Sequence, residues 1–263
     1  MKLKEIEKLL DELSPRSYAL NWDNPGLLVG REDKDVRKIF IALDADEKAV
    51  EEAARIKADL IITHHPIIFH SIKNVTDQTP LGSKIIKLIM DDISVFSMHT
   101  NFDIMGGMST LAADRLGLEE QCVMEETING EGIGRVGILR DAPEVKDVAN
   151  RTLEAFDLKN VIIYGDLCKK VNKVAISPGS GRSMLDAAVK MGADCFITGD
   201  FGHHEGLDAI ESGIAVIDAS HAGIERIFIP FISEYLKEKL PDEVDVISAN
   251  VNDTIPGKFY GKK

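Results

Sequence analysis

Residues 38–63, KIFIALDADEKAVEEAARIKADLIIT, lie without a gap on residues 173–198, KVAISPGSGRSMLDAAVKMGADCFIT, at an offset of 135 residues. Seven positions are identical: Lys38 with Lys173, Ile41 with Ile176, Ala53 with Ala188, Ala58 with Ala193, Asp59 with Asp194, Ile62 with Ile197 and Thr63 with Thr198. Each copy reads as an apolar, β-rich run, a loop, an amphipathic helix and a second apolar run ending in polar residues. That is a βαβ unit, and its crossover predicts a largely parallel sheet with helices over its faces. A third strand follows in each half, ISVFSMH at 93–99 and IAVIDASH at 214–221, after helical stretches near 81–91 and 203–212. The expected fold class is therefore α/β with two repeated halves, the first over residues 1–123 and the second over 124–263. The acidic and then Gly-rich stretch at 119–136, EEQCVMEETINGEGIGRV, suits a connection between them. Pro230 to Leu240 reads as a helix with proline at its first position, packing back on one of the halves.

The 263 residues allow one large or two small domains, and 44% hydrophobic with 29% charged residues is the composition of a chain folded throughout. A formal net charge of −13 argues against duplex nucleic acid as a partner, because phosphate binding needs a concentrated basic surface. The first residues, MKLKEIEKLLDELSPRSY, set Leu and Ile at helical spacing among charges, the pattern of an amphipathic surface helix and not of a secretory signal. No apolar run has the length of a membrane span. Cys122, Cys168 and Cys195 are odd in number and widely spaced, so neither a disulfide framework nor a thiolate zinc site is expected, and a reducing cytoplasm fits best.

Six of the seven histidines fall at or just after a predicted strand end, where ligands of parallel sheets gather. IITHHP puts His64 and His65 where a buried strand breaks at Pro66. MHTNFD gives His99 and, four residues on, Asp103; SHAGIE gives His221 and, again four on, Glu225, the spacing of one helix face. Imidazole and carboxylate donors without thiolate suit Zn, Mn or Fe(II) in an open, catalytic type of site. A bridging carboxylate would let two cations share a hydroxide for metal-assisted hydrolysis. SPGSGRS at 177–183 reads as a tight turn between strand and helix, with a phosphate cradle as the alternative. NWDNPGLLVG at 21–30 reads as a turn leading into a strand, with the lone Trp22 packed in a core or interface and no chemistry assigned.

In this order, NWDNPGLLVG, ALDADEKAVEEA, ADLIITHHP, MHTNFD, CFITGD and SHAGIE resemble the Nif-three-like dinuclear-metal family, often named GTP cyclohydrolase 1 type 2, from about Leu3 to Phe231. The resemblance implies two intertwined α/β halves with small mixed, mostly parallel sheets, and a ring-shaped homohexamer enclosing a cavity. It places two divalent metal ions (Fe, Zn or Mn) on His64, His65, Asp103, His221 and Glu225, makes His99 an orienting histidine, and matches His204 to one found in some members. The chain lacks the large insert that longer relatives carry between the halves.

Two functions follow as expectations. One is a dinuclear metal-dependent hydrolase of a nucleotide ring such as GTP, or of a related cyclic amidine or amide, with His204 or His99 moving protons and Arg182 offsetting the acidic charge. The other is a metal-binding regulatory or interaction protein with a transcription-related partner and no turnover.

Overall fold

The computed structural model describes residues 1–251. In chain order the first elements are α1 (Leu3–Leu13), β1 (Gly26–Val29), β2 (Lys38–Ala42), α2 (Glu47–Arg55), β3 (Leu60–Thr63), α3 (Pro80–Met90) and β4 (Ser94–Ser97). There follow α4 (Met108–Arg115), β5 (Glu119–Ile128), β6 (Glu131–Ile138), α5 (Val145–Ala155), β7 (Ile162–Tyr164), β8 (Lys173–Ser180) and α6 (Leu185–Lys190). The chain continues through β9 (Cys195–Gly199), α7 (His203–Glu211), β10 (Ala215–Asp218), α8 (His221–Glu225), α9 (Phe228–Lys239) and β11 (Asp245–Ser248). They divide into two compact units, one of Met1–Gly106 with the chain from Phe228 onward, the other of Gly107–Ile227.

The first unit carries a five-stranded sheet in the order β1-β4-β3-β2-β11. Strands β11, β2, β3 and β4 run parallel, and β1 closes the edge antiparallel. All residues of β3 and β4 are buried, as continuous apolar runs covered on both faces require. Phe40, Ile61 and Val95 of the sheet pack with Val50 of α2 and with Ile85 and Leu88 of α3. Both helices start on side-chain caps: Asp46 accepts from the Ala49 amide at 2.8 Å, and Thr79 from that of Gly82 at 3.1 Å, with Pro80 in the first turn. The C-terminal helix belongs to this unit, tied to α1 by Tyr235 Oη donating to the Leu9 carbonyl at 2.9 Å. It begins at Phe228, so Pro230 lies inside its first turn and not at its first position.

The second unit carries a six-stranded sheet in the order β5-β6-β8-β9-β10-β7. Its centre, β8-β9-β10, is parallel, while β5, β6 and β7 add antiparallel pairs. Ala175, Phe196 and Val216 form the apolar layer with Leu185 and Ile214. Residues 119–136 are not a connection but the β5–β6 hairpin, turned on Asn129 (φ 53°) and Gly130 (φ 81°) with Ile128 paired to Glu131. An Asn-Gly pair meets the demand of a two-residue turn for positive φ at both positions. The hairpin joins β8 through β6, and the Gly134 amide donates to Ser109 Oγ of α4 at 3.2 Å, so the unit begins near residue 107 and not at 124.

The internal repeat is structural. Oδ2 of Asp59 accepts from the amides of Arg37 and Lys38 at 2.8 and 2.9 Å, and Oδ2 of Asp194 accepts from those of Asn172 and Lys173 at 2.9 Å each. Lys38 Nζ donates to the Ile56 carbonyl and Lys173 Nζ to that of Met191, both at 3.0 Å. Two of the seven sequence identities thus fix the same join between the first strand of a βαβ unit and the entry to its second.

Candidate metal centre

Parallel pairing puts the carboxyl ends of β2, β3 and β4 at one edge, with Ala42, Thr63 and Ser97 in register. The residues that follow them are those with polar, chemically capable side chains: Asp44 after β2, His64 and His65 after β3, His99 and Asp103 after β4. The backbone turns sharply after Thr63, since the amides of both His64 and His65 donate to the Leu43 carbonyl at 3.2 and 3.0 Å. Adjacent side chains that would diverge on an extended strand are thereby brought together, with ring centroids 4.9 Å apart. His99 joins them, and one ligand atom from each of His64, His65 and His99 lies within 4.8 Å of the others. Asp103, in a single wide helical turn over Phe102–Gly106, sets Oδ1 3.5 Å from Nε2 of His64.

Each of these rings is held by its Nδ1. His64 Nδ1 meets the Met98 carbonyl at 2.7 Å, which fixes the proton on that nitrogen and makes Nε2 the lone-pair atom. His65 Nδ1 meets Asp44 Oδ1 at 2.9 Å, and His99 Nδ1 meets Asp23 Oδ1 at 2.9 Å. His64 is fully buried, so its orientation is also fixed by packing against Phe102 and Phe228.

The second unit repeats the arrangement. Asp200 follows β9 and His221 opens α8 after β10; His221 Nδ1 meets Asp200 Oδ2 at 2.7 Å and its Nε2 lies 3.1 Å from Glu225 Oε2. The helix start is strained into place. Ser220 has φ 61° and ψ 153°, a region few side-chain-bearing residues adopt, and is held by Asp218 Oδ1 accepting from its amide at 2.8 Å and by its own Oγ accepting from Gly223 at 3.1 Å. Gly179 completes this half: a Cβ there would overlap Oε1 of Glu225 and stand 3.6 Å from Nε2 of His221.

These donors fit a divalent cation. They are imidazole nitrogens and carboxylate oxygens with no thiolate, each imidazole presents Nε2 while Nδ1 is engaged, and at Gly179 the chain approaches the His221–Glu225 pair as closely as only a glycine can.

Other expectations change. Ser177–Ser180 belongs to β8, the tight turn comes only at Arg182–Met184, and the helix it leads into, α6, has only six residues, so nothing supports a phosphate cradle there. Arg182 is exposed, 3.9 Å from Glu205. His203 and His204 begin α7 and are exposed. Trp22 is 60% exposed and not in a core, and its neighbour Asp23, to which no chemistry was assigned, is the group that holds His99. Asp23, Asp44 and Asp200 hold the rings of His99, His65 and His221, and sequence reading missed all three. A signal existed for two of them: Asp44–His65 and Asp200–His221 are each separated by 21 residues, one strand end to the next across a helix.

Burial of Asp23 favours its neutral form, but the hydrogen bonds and charge of His99 and the two bonds from Thr100 outweigh that and take its pKa down to about 2. A carboxyl depressed in the folded state contributes stability that is complete above its unfolded value of 3.8 and is lost as pH falls through about 2. Asp23→Asn is therefore expected to cost about 2 kcal/mol at pH 7 and to flatten the acid limb of the stability profile between about pH 4 and 2, as read by urea unfolding at a series of pH values. A variant with the wild-type acid limb contradicts this.

The family model for Duf34/NIF3 (NGG1p interacting factor 3) matches residues 1–255, and the chain belongs to that family. It is 37% identical over 250 residues to a Clostridium perfringens protein named GTP cyclohydrolase 1 type 2 homolog, covering 94% of this chain and 95% of that one. The crystal structure of a Bacillus cereus protein related to NIF3 superposes with a TM-score of 0.94 over 99% of both chains at 23% identity, a likeness of fold. Against a Listeria monocytogenes protein of the same curated name the alignment runs over 352 positions at 27% identity, covering 92% of this chain and 93% of that one, so that relative carries a long insertion absent here. Among the described residues no helix is long and apolar enough to cross a membrane.

Proposed function

We propose that the protein is a metal-dependent hydrolase that opens a nucleotide ring, with GTP the first substrate to test, and that it binds two divalent cations, His64, His65 and Asp103 serving as ligands in the first unit and His221 and Glu225 in the second. The observation that carries this reading is the uniform engagement of Nδ1: by Met98 O on His64, Asp44 on His65 and Asp200 on His221. Imidazoles that bind metal need one nitrogen fixed by an outer partner so that the other points at the ion, and surface histidines have no such need. The names of the curated relatives support the substrate class. When bound, the cations would supply Lewis acidity and lower the pKa of water.

The chain's own residues orient and exchange protons. Asp44 and Asp200 hold the rings of His65 and His221 and fix their orientation. Asp23 keeps the proton of His99 on Nδ1, leaving Nε2 to accept one, and the exposed His204 is a second candidate for proton transfer. The homohexamer belongs to the same reading.

Protein purified without added ions is to be analysed for metal, then screened for turnover over nucleotides and other cyclic amidine or amide compounds, with and without a chelator. GTP or a relative is expected to be consumed by the metal-loaded protein alone. Should metal-loaded protein leave every compound untouched while chelation changes only its size in solution, the hydrolase reading fails in favour of a metal-dependent interaction protein.

A further inference from the structure

Two large aromatic side chains stand exposed beside the imidazole cluster, Trp22 at 60% and Phe69 at 48%. Single exposed apolar residues are ordinary, but these two meet each other and the same histidine. The indole lies 5.8 Å from the Phe69 ring and 5.9 Å from that of His99, and Phe69 lies 6.0 Å from His99. Interplanar angles of 53°, 73° and 72° make all three contacts tilted or edge-on, and none of them is a parallel stack.

The loops that carry them are anchored. Asp23, next to Trp22, has a fully buried side chain that accepts from the Thr100 amide at 3.0 Å and from its hydroxyl at 2.6 Å while holding His99. Thr100 Oγ1 in turn accepts from the Leu20 amide at 2.9 Å. Asn24 Nδ2 donates to the Ile68 carbonyl at 2.7 Å, joining the Trp22 loop to the one that carries Phe69. Trp22 is thus set between fixed neighbours on both sides, with its bulk outward, which is the preorganised form a binding surface takes and not that of a core residue left out by accident.

We infer that Trp22 and Phe69 form a stacking platform for a planar heteroaromatic ring, of the class of a purine base, that is presented to the metal centre. A stacked ring would lie within one aromatic layer of His99. Every base has a π-face, so the platform selects for a flat ring and leaves discrimination among bases to other groups. This inference rests on reading the imidazole cluster as a catalytic centre, and the test below separates the two.

Trp22 is the single tryptophan of the chain, so its emission reports on the platform directly. Metal-loaded protein is titrated with guanosine, with ribose 5-phosphate and tripolyphosphate as controls. Guanosine is expected to quench the indole saturably, and the controls are not. Phe69→Ala and, by calorimetry, Trp22→Ala should each weaken guanosine by about tenfold, and Trp22→Phe by less, with metal content and circular dichroism unchanged. The inference is overturned if guanosine leaves the emission unaltered, if ribose 5-phosphate quenches equally, or if the indole is already blue-shifted and shielded from acrylamide before any addition, since a second copy or partner would then cover it. Quenching by guanosine with no turnover of any nucleotide, cyclic amidine or amide sinks the hydrolase reading and keeps the platform. GTP turnover with an unchanged KM in both alanine variants sinks the platform and keeps the hydrolase.

Discussion

His64→Ala is expected to lower metal affinity on the order of a hundredfold or more, since loss of an outer partner alone typically costs about 10- to 100-fold and this change removes a ligand. The side chain is fully buried, so no water-exposed rearrangement can bring another donor cheaply to its place. Alanine also leaves the Met98 carbonyl without the ring N–H that meets it at 2.7 Å and opens a hole against Phe102 and Phe228, effects worth about 1–3 kcal/mol for the lost hydrogen bond and more for the cavity. His64→Asn separates these contributions. Its side-chain N–H can reach the carbonyl as Nδ1 does, but it presents nothing in the position of Nε2. The asparagine variant should therefore fold close to normally and still lose metal, as read by elemental analysis beside urea unfolding. Wild-type metal content in both variants would remove His64 from the centre.

Gly179→Ala should act within the second unit and by a different route. At φ +73° any side chain is strained, by about 1 kcal/mol or somewhat more, and here the added Cβ also overlaps Oε1 of Glu225. Glu225 is 4% exposed and cannot swing into solvent, so either the carboxylate or the β8 backbone must move. We expect a loss of about 2–4 kcal/mol, several degrees in Tm, together with weakened metal binding. Gly192→Ala is the control: it has nearly the same φ, +70°, but nothing within 4 Å of the added atom. It should cost only the backbone contribution and leave the metal alone. Equal effects of the two substitutions on metal content would show that the approach of Gly179 to Glu225 has no bearing on the centre.

Much of the architecture was legible because it rests on local chemistry. The seven shared positions of the 38–63 and 173–198 segments mark βαβ units whose strands, helices and joins all formed, and the pairs Asp59 with Asp194 and Lys38 with Lys173 show why two of those identities recur. The candidate ligands were legible because imidazoles and carboxylates collected at strand ends. The hairpin at 119–138 was not, since the acid-rich β5 forms the exposed edge of a sheet and β6 is broken by Gly132, Gly134 and Gly137; only the Asn-Gly turn signalled it. The reach of α9 back to α1 and β2 was equally hidden, because which apolar face a helix covers is set by partners far away in the chain.

The sequence by itself determined the period of each element, the order of the strands' polar ends and the kinds of donor available, since these depend on residues within a turn or two of one another. Tertiary structure alone decided which carboxylate grips which ring, that Asp103 faces His64, that Trp22 looks outward and that Gly179 leaves room for Glu225. Those are contacts of a few ångströms between stretches tens of residues apart, and their geometry exists only once the sheets have set strand beside strand.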